Sequence, residues 1–209
     1  MLMVASKKEK QTRELDPQLI AKAAMAVVDE QGVAGFTMRT IASALNVTPM
    51  ALYHHVKDKA GLAALLVDGV MREVALPPTT GDWREDLWAM SEWSWEITLA
   101  HPAVSRLRRE YQVWTPAILQ KSERWLSLWQ QSGLELSKAL LAASSSGKAI
   151  AGLAEEEIIL RDLPMPDAKT LSQFPNAKLM FDKPHEPKAE FELAVRALID
   201  GIYSKLSQS

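Results

Sequence analysis

Between Thr37 and Lys59 the chain reads TMRTIASALNVTPMALYHHVKDK, and few folds accommodate that order of residues. Thr37 is a strong N-cap, and Met38, Ile41, Ala42 and Leu45 recur at the spacing of one helix face. Asn46 stops that helix, because asparagine tolerates the left-handed backbone a helix end often adopts. Val47 is expected to plug the turn. Thr48 caps a second helix and Pro49 takes its first position, where a missing N–H costs nothing. That helix is expected to reach about Val56, with Leu52 and Val56 inward. Ala42 is small enough to let the two helices cross closely. Two short capped helices joined this way form a helix-turn-helix, whose second helix can lie in a DNA major groove. Spacing alone is equally compatible with two small helices in an ordinary α-domain.

The rest of the chain reads as helix throughout. Asp16-Pro17 opens a first helix with Ile20, Ala23, Ala24, Val27 and Val28 on one face, and Gly32 and Gly35 close it. Asp58 caps a helix running through Leu62, Leu66 and Val70 to Leu76, where Pro77-Pro78 breaks it. Asp82 and Thr115-Pro116 open helices at Trp83 and Pro116, with a shorter one from Ala103 to Tyr111 between them. Leu136 to Leu160 is a long helix with a small-residue centre at Ala142 to Gly147, suited either to a dimer interface or to a ligand cavity. Arg161 to Pro187 carries five prolines and reads as a loop with one helical turn near Ala168 to Phe174, the kind of long segment that often serves as a lid. A last helix from Pro187 to Leu206 has a wide apolar face, which suits burial on two sides. The fold class is therefore all-α. A three-helix DNA-binding domain is expected over 1–61, with a basic arm in 1–15, and a larger helical domain over 62–209.

Charge and composition narrow the function. The net charge of −2 alone argues against nucleic acid, but residues 1–72 hold 9 Lys/Arg against 7 Asp/Glu and residues 73–209 hold 15 against 19. This mild asymmetry is compatible with a DNA-binding head on an acidic body. Lys7, Lys8, Lys10 and Arg13 form a loose basic arm, either a phosphate contact or a solvated tail. There is no Cys, and hence no disulfide and no thiol chemistry. No apolar run reaches the ~18 residues of a membrane span, and the first apolar segment is too short for a signal peptide. A cytoplasmic protein is expected. Enzyme chemistry has no foothold. The four histidines fall in different segments or, at His54-His55, point about 100° apart on a helix. HExxH, GxSxG and Gly-rich phosphate-loop motifs are missing from the sequence. No catalytic residue, metal or cofactor is expected.

LYHHVKDKAGL, preceded by FTMRTIASALNVT, resembles the signature of the TetR (tetracycline repressor) family of one-component regulators over roughly residues 16 to 70. The layout from Trp83, with SLWQQSGLE and FELAVRALIDGIYSKL, looks like the C-terminal domain of the tetracycline-repressor subgroup. The resemblance implies an all-α homodimer whose last two long helices pair across a two-fold axis. It implies a repressor on a palindromic double-stranded operator, released when a small-molecule effector shifts the fourth helix. It also assigns roles. Thr37 matches a cap facing a phosphate, and Arg39 an arginine reading a guanine edge. Thr48 opens the recognition helix, while Pro49 and Met50 match positions touching base edges or thymine methyls. Ala51 replaces a phosphate-contacting Thr. Tyr53 and Lys59 match phosphate contacts, His55 a residue near the groove, and His54 a position often held by Trp. Two body histidines that hold a Mg²⁺–tetracycline chelate in the drug-binding branch align with Arg108 and Lys148, so no such chelate is expected.

All seven tryptophans follow Thr80, and a core aromatic is more often packing than ligand contact. Trp88, Trp95, Trp114 and Trp129, with Arg108 and Lys148, are the candidate effector residues, for an aromatic or polycyclic molecule to which Arg108 can add an anion handle. The alternative function is a helical small-molecule carrier or protein-interaction module with a degenerate head, which leaves residues 37–59 unexplained.

Overall fold

The computed structural model describes residues 15–182 and 185–208, so the basic residues Lys7, Lys8, Lys10 and Arg13 lie outside the described part. Those residues form eleven α-helices and one 3-10 turn, with no strand among them. In chain order they are α1 (Pro17–Gln31), the turn Val33–Gly35, α2 (Met38–Ala44), α3 (Pro49–Tyr53), α4 (Lys59–Glu73), α5 (Trp83–Ala100), α6 (Pro102–Glu110), α7 (Pro116–Gln131), α8 (Leu136–Asp162), α9 (Ala168–Leu171), α10 (Pro175–Asp182) and α11 (Pro187–Ser207). Capping sets most of the starts. Asp16, Thr37, Thr48, Asp58, Asp82 and Thr115 each accept a backbone N–H from the first turn of the helix they precede.

α1, α2 and α3 close around Ile20, Ala24, Val28, Phe36, Ile41 and Leu52. The inward face of α4, Leu62, Leu66, Val67 and Val70, joins the same cluster, and so do Trp93 and Ile97 of α5, Val104 and Leu107 of α6, and Ile118 of α7. The head core thus runs without interruption into the upper body. A second core lies between α5, α7, α8 and α11, built on Leu87, Met90, Leu128, Trp129, Ile150, Phe191 and Val195. Trp95 stacks on Phe191 at 5.0 Å between centroids, within the range where aromatic pairs attract.

α4 is tied to both layers. Asp68 accepts the Ala117 N–H at the start of α7 at 3.0 Å and pairs with Arg72 at 2.6 Å. Burial works against its charge, but the bonds from Arg72, Ala117 and Thr115 hold the carboxyl below the usual range. Trp93 donates its indole N–H to the Val74 carbonyl at 3.3 Å, and Phe36 meets Tyr111 at 6.1 Å across the head–body boundary.

Three elements differ from the sequence reading. α3 ends at Tyr53 and does not reach Val56, because the Leu52 carbonyl accepts both the His55 and Val56 N–H at 2.9 Å and the chain then swings out to the Asp58 cap. Val56 is still buried. α4 ends at Glu73 and not Leu76, since proline disfavours helical backbone in the residue before it and Val74 is already extended. The segment 161–187 is mostly helical and not a loop: α8 runs on to Asp162, and Pro175 and Pro187 occupy first helical positions, where they start α10 and α11. α9 and α10 bury no residue, and Leu179 and Met180 stand in the open.

The small-residue centre of α8 turns out to serve α7. Ala142 and Ser146 are buried, the Trp129 indole donates to Ser146 Oγ at 3.1 Å, and Trp125 donates to the Ala143 carbonyl at 3.1 Å. Leu140, Leu141, Ser144 and Ser145 face outward.

Candidate nucleic-acid interface and effector site

The head presents one polar face. Thr37 Oγ1 accepts the Thr40 N–H at 3.0 Å and shares a second bond with the Thr40 hydroxyl at 2.7 Å, so the cap is fixed from both sides. Asn46 sits at φ 56°, the left-handed backbone that ends α2 and sends the chain into the turn. Val47 is half-buried there, with its N–H on the Ala42 carbonyl at 3.0 Å. Thr48 Oγ1 then accepts the Ala51 N–H at 3.3 Å. With Leu52 and Val56 sealed, α3 has its remaining side chains free. Met50 is 67% exposed and Tyr53 49%, and Thr48, Pro49, His54 and His55 are exposed beside them.

Arg39 on α2, Lys57 in the following turn and Lys59 at the first position of α4 are exposed too. Among the described residues none of the three makes an ion pair. The one carboxylate beside them, Asp58, is committed to the Gly61 N–H at 2.8 Å. The structure therefore brings all nine sequence-predicted DNA residues onto the head, eight exposed and Thr37 half-buried as its cap role requires. An open helix with unpaired cations on either side is suited to phosphates flanking a groove.

The candidate effector residues do not converge in the same way. Trp129 is fully buried and bonded to Ser146, which is packing. Trp95 is buried against Phe191, and Trp88 meets the same ring at 6.0 Å. Arg108 lies over the Trp114 ring at 5.6 Å, and that indole is 67% exposed. Lys148 stands exposed on α8. Sequence reading missed two basic residues of the body, Lys121 and Arg124. The signal was present, since both interrupt the apolar face of α7 set by Ile118, Trp125 and Leu128.

A groove of about 410 Å³ runs between α8 and α11, lined by Leu141, Ser145, Leu198, Gly201, Ile202 and Leu206 among others. It includes none of the candidate effector residues.

Residues 20–66 match the family model for bacterial regulatory proteins of the tetR family. A tetracycline repressor protein of class A from Escherichia coli is 25% identical over 198 residues, 90% of this chain and 91% of that one. Residues 20–66 are a tetR-family helix-turn-helix domain. The transcriptional repressor DrrR1 of Streptomyces coeruleorubidus is 26% identical over 162 residues, and the match spans 77% of this chain but only 60% of the repressor. Among solved structures, the TetR-family protein ActR of Streptomyces coelicolor in complex with (S)-DNPA superposes with a TM-score of 0.70 at 24% identity, over 91% of this chain and 98% of ActR. BioQ with its double-stranded DNA operator superposes at 0.67 and 22%, over 91% and 99%. These two likenesses concern the fold.

Proposed function

We propose that this chain is a TetR-family regulator and acts as a homodimeric repressor of a palindromic operator, released by a small-molecule effector held in the body. Residues 1–61 are read as the DNA-binding unit and 62–209 as the effector-binding and dimerisation unit. The observation that carries the reading is the open face of α3 on a doubly capped helix-turn-helix, flanked by the unpaired Arg39, Lys57 and Lys59. In this reading Arg39 takes a base edge, Pro49 and Met50 meet base edges or methyl groups, Thr37, Tyr53 and Lys59 meet phosphates, Thr48 opens the recognition helix, and His54 and His55 lie near the groove. BioQ, whose structure includes an operator duplex, and DrrR1, a repressor by name, support it.

The dimer reading is supported by the outer faces of α8 and α11. Leu141, Leu198 and Ile202 alternate there with the small Ser145, Ala197 and Gly201, a surface that lets a second pair of helices approach closely. The effector reading is supported by the double tie of α4 to head and body through Asp68 and the shared core, and by ActR having been solved with a small molecule. A ligand that binds one arrangement of the body better than the other would shift α4 and the spacing of the heads.

Selection of bound duplexes from a random pool at near-physiological salt tests the reading. Enrichment of an inverted repeat is expected. Enrichment of a single half-site would remove the dimer, and no enrichment from ligand-free protein would remove the operator.

A further inference from the structure

Between α5 and α7 the body holds more positive charge than its own acids neutralise. Lys121 reaches only the Ser94 hydroxyl, at 2.5 Å, and lies 5.6 Å from the centroid of the Trp93 ring. Its closest charged influence is Arg108, another cation. Arg124 follows three residues later on the same face of α7, and its Nε and Nη2 are sealed from solvent with no acceptor. Across the layer α5 turns Ser91, Ser94, Thr98 and His101 to one side, at spacings of three, four and three. The hydroxyls of Ser91 and Thr98 donate to their own helix at Leu87 and Ser94, and His101 Nδ1 is buried without a partner.

Three acids on the surrounding elements have other partners. Glu155 of α8 pairs with Arg109, Asp68 of α4 with Arg72 and Ala117, and Asp86 of α5 accepts from Thr80 through Oδ1 while its Oδ2 is buried without a partner. A cation withdrawn from water without a counter-ion costs free energy, and two half-buried ones in one layer are a deficit that an incoming negative charge offsets.

We propose that Lys121 and Arg124 are the anion-receiving end of the effector site, and that the effector is an organic carboxylate on a flat apolar body. This rests on the effector reading above. A guanidinium matches a carboxylate through two parallel N–H bonds and an ammonium adds a point charge. The Trp93 ring beside Lys121, and the exposed Trp114 under Arg108, supply flat apolar surface for the remainder of the molecule. Inorganic phosphate fits less well, because the Ser91 and Thr98 hydroxyls already donate to their own helix, which leaves few donors for its further oxygens.

The test uses the full chain, calorimetric titration, and 1-naphthoate against its neutral counterpart 1-naphthamide, with inorganic phosphate as a third probe. Naphthoate is expected to bind at least about tenfold more tightly than naphthamide, the least that one desolvated charge pair confers. Lys121→Met and Arg124→Met should each collapse that ratio towards one, while Lys121→Arg and Arg124→Lys keep most of it. Equal affinity in the parent chain, a ratio unchanged in both Met variants, or no binding of either naphthalene at millimolar concentration overturns the inference. Phosphate binding as tightly as naphthoate overturns the carboxylate class. The regulator reading is scored separately, by affinity for a selected duplex. Charge-dependent binding that leaves duplex affinity unchanged overturns the effector role of the site, whereas failure to bind any selected duplex overturns the regulator reading itself.

Discussion

Arg39 and Lys59 stand a few residues from the same exposed helix, yet they should fail differently. Arg39→Ala removes a fork that fits a guanine edge, so it should cost about 1–3 kcal/mol at one base pair per half-site and relax preference there. Lys59→Ala removes a charge that any phosphate satisfies, so it should weaken specific and random duplexes alike and lower the salt dependence by about one ion. Gel-shift titrations on operator and scrambled DNA separate the two. Equal losses for Arg39→Ala on both would deny it a base contact. Lys121 poses a different residue-scale question. Burial, with Arg108 adding to it, pulls its ammonium down to about 8. An unfolded lysine titrates near ~10.4, so the unfolded chain holds the extra proton between those values and stability rises with pH through that window. Below it the full cost of the buried charge applies. Lys121→Met should therefore be more stable at neutral pH by about 1–3 kcal/mol, the order for relieving an unpaired buried charge. Thermal melts at pH 7 and pH 10 should show that gap narrowing at the higher pH.

At the scale of elements, α8 is held to α7 by indole donors. Trp129 reaches Ser146 Oγ, which itself donates to the Ala142 carbonyl at 2.6 Å, so one hydroxyl serves both helices. Ser146→Ala leaves a fully buried indole N–H unpaired and should cost about 1–3 kcal/mol by chemical denaturation. Ser146→Thr, which keeps the hydroxyl but adds a methyl in a packed layer, should lose stability through crowding instead. The ends of α3 and α4 were not legible as they stand. Period-3.6 patterns mark which residues turn inward, and Val56 does, but a residue can be buried from a turn as well as from a helix. Pro175 and Pro187 misled for a related reason: the same residue that breaks a helix from within begins one at its first position, and only the following turn tells which.

For the whole molecule, the exposed apolar face on α8 and α11 is the feature a lone chain explains least. Ile202→Glu places a charge in the groove beside Leu141 and Leu198, and sedimentation should then show monomer. Because two tethered heads bind one operator with an effective concentration that a single head lacks, operator affinity should fall by at least about 100-fold in the same variant. A monomer that keeps full operator affinity would sink the dimeric mechanism. The head core and the upper body share one continuous cluster, which makes motion of α4 without motion of both neighbours costly.

The residues between Thr37 and Lys59 determined the head unaided, because caps, a left-handed Asn46 and a proline at a first helical position are local chemistry, readable within a few residues. The all-α class followed from periodicity for the same reason. What the tertiary structure alone decided is partnership. Seven tryptophans look alike in sequence. Only the packing shows Trp129 sealed and bonded, Trp114 open under Arg108, and Lys121 and Arg124 half-buried without a counter-ion, since which acid lies near a cation depends on helices far apart along the chain.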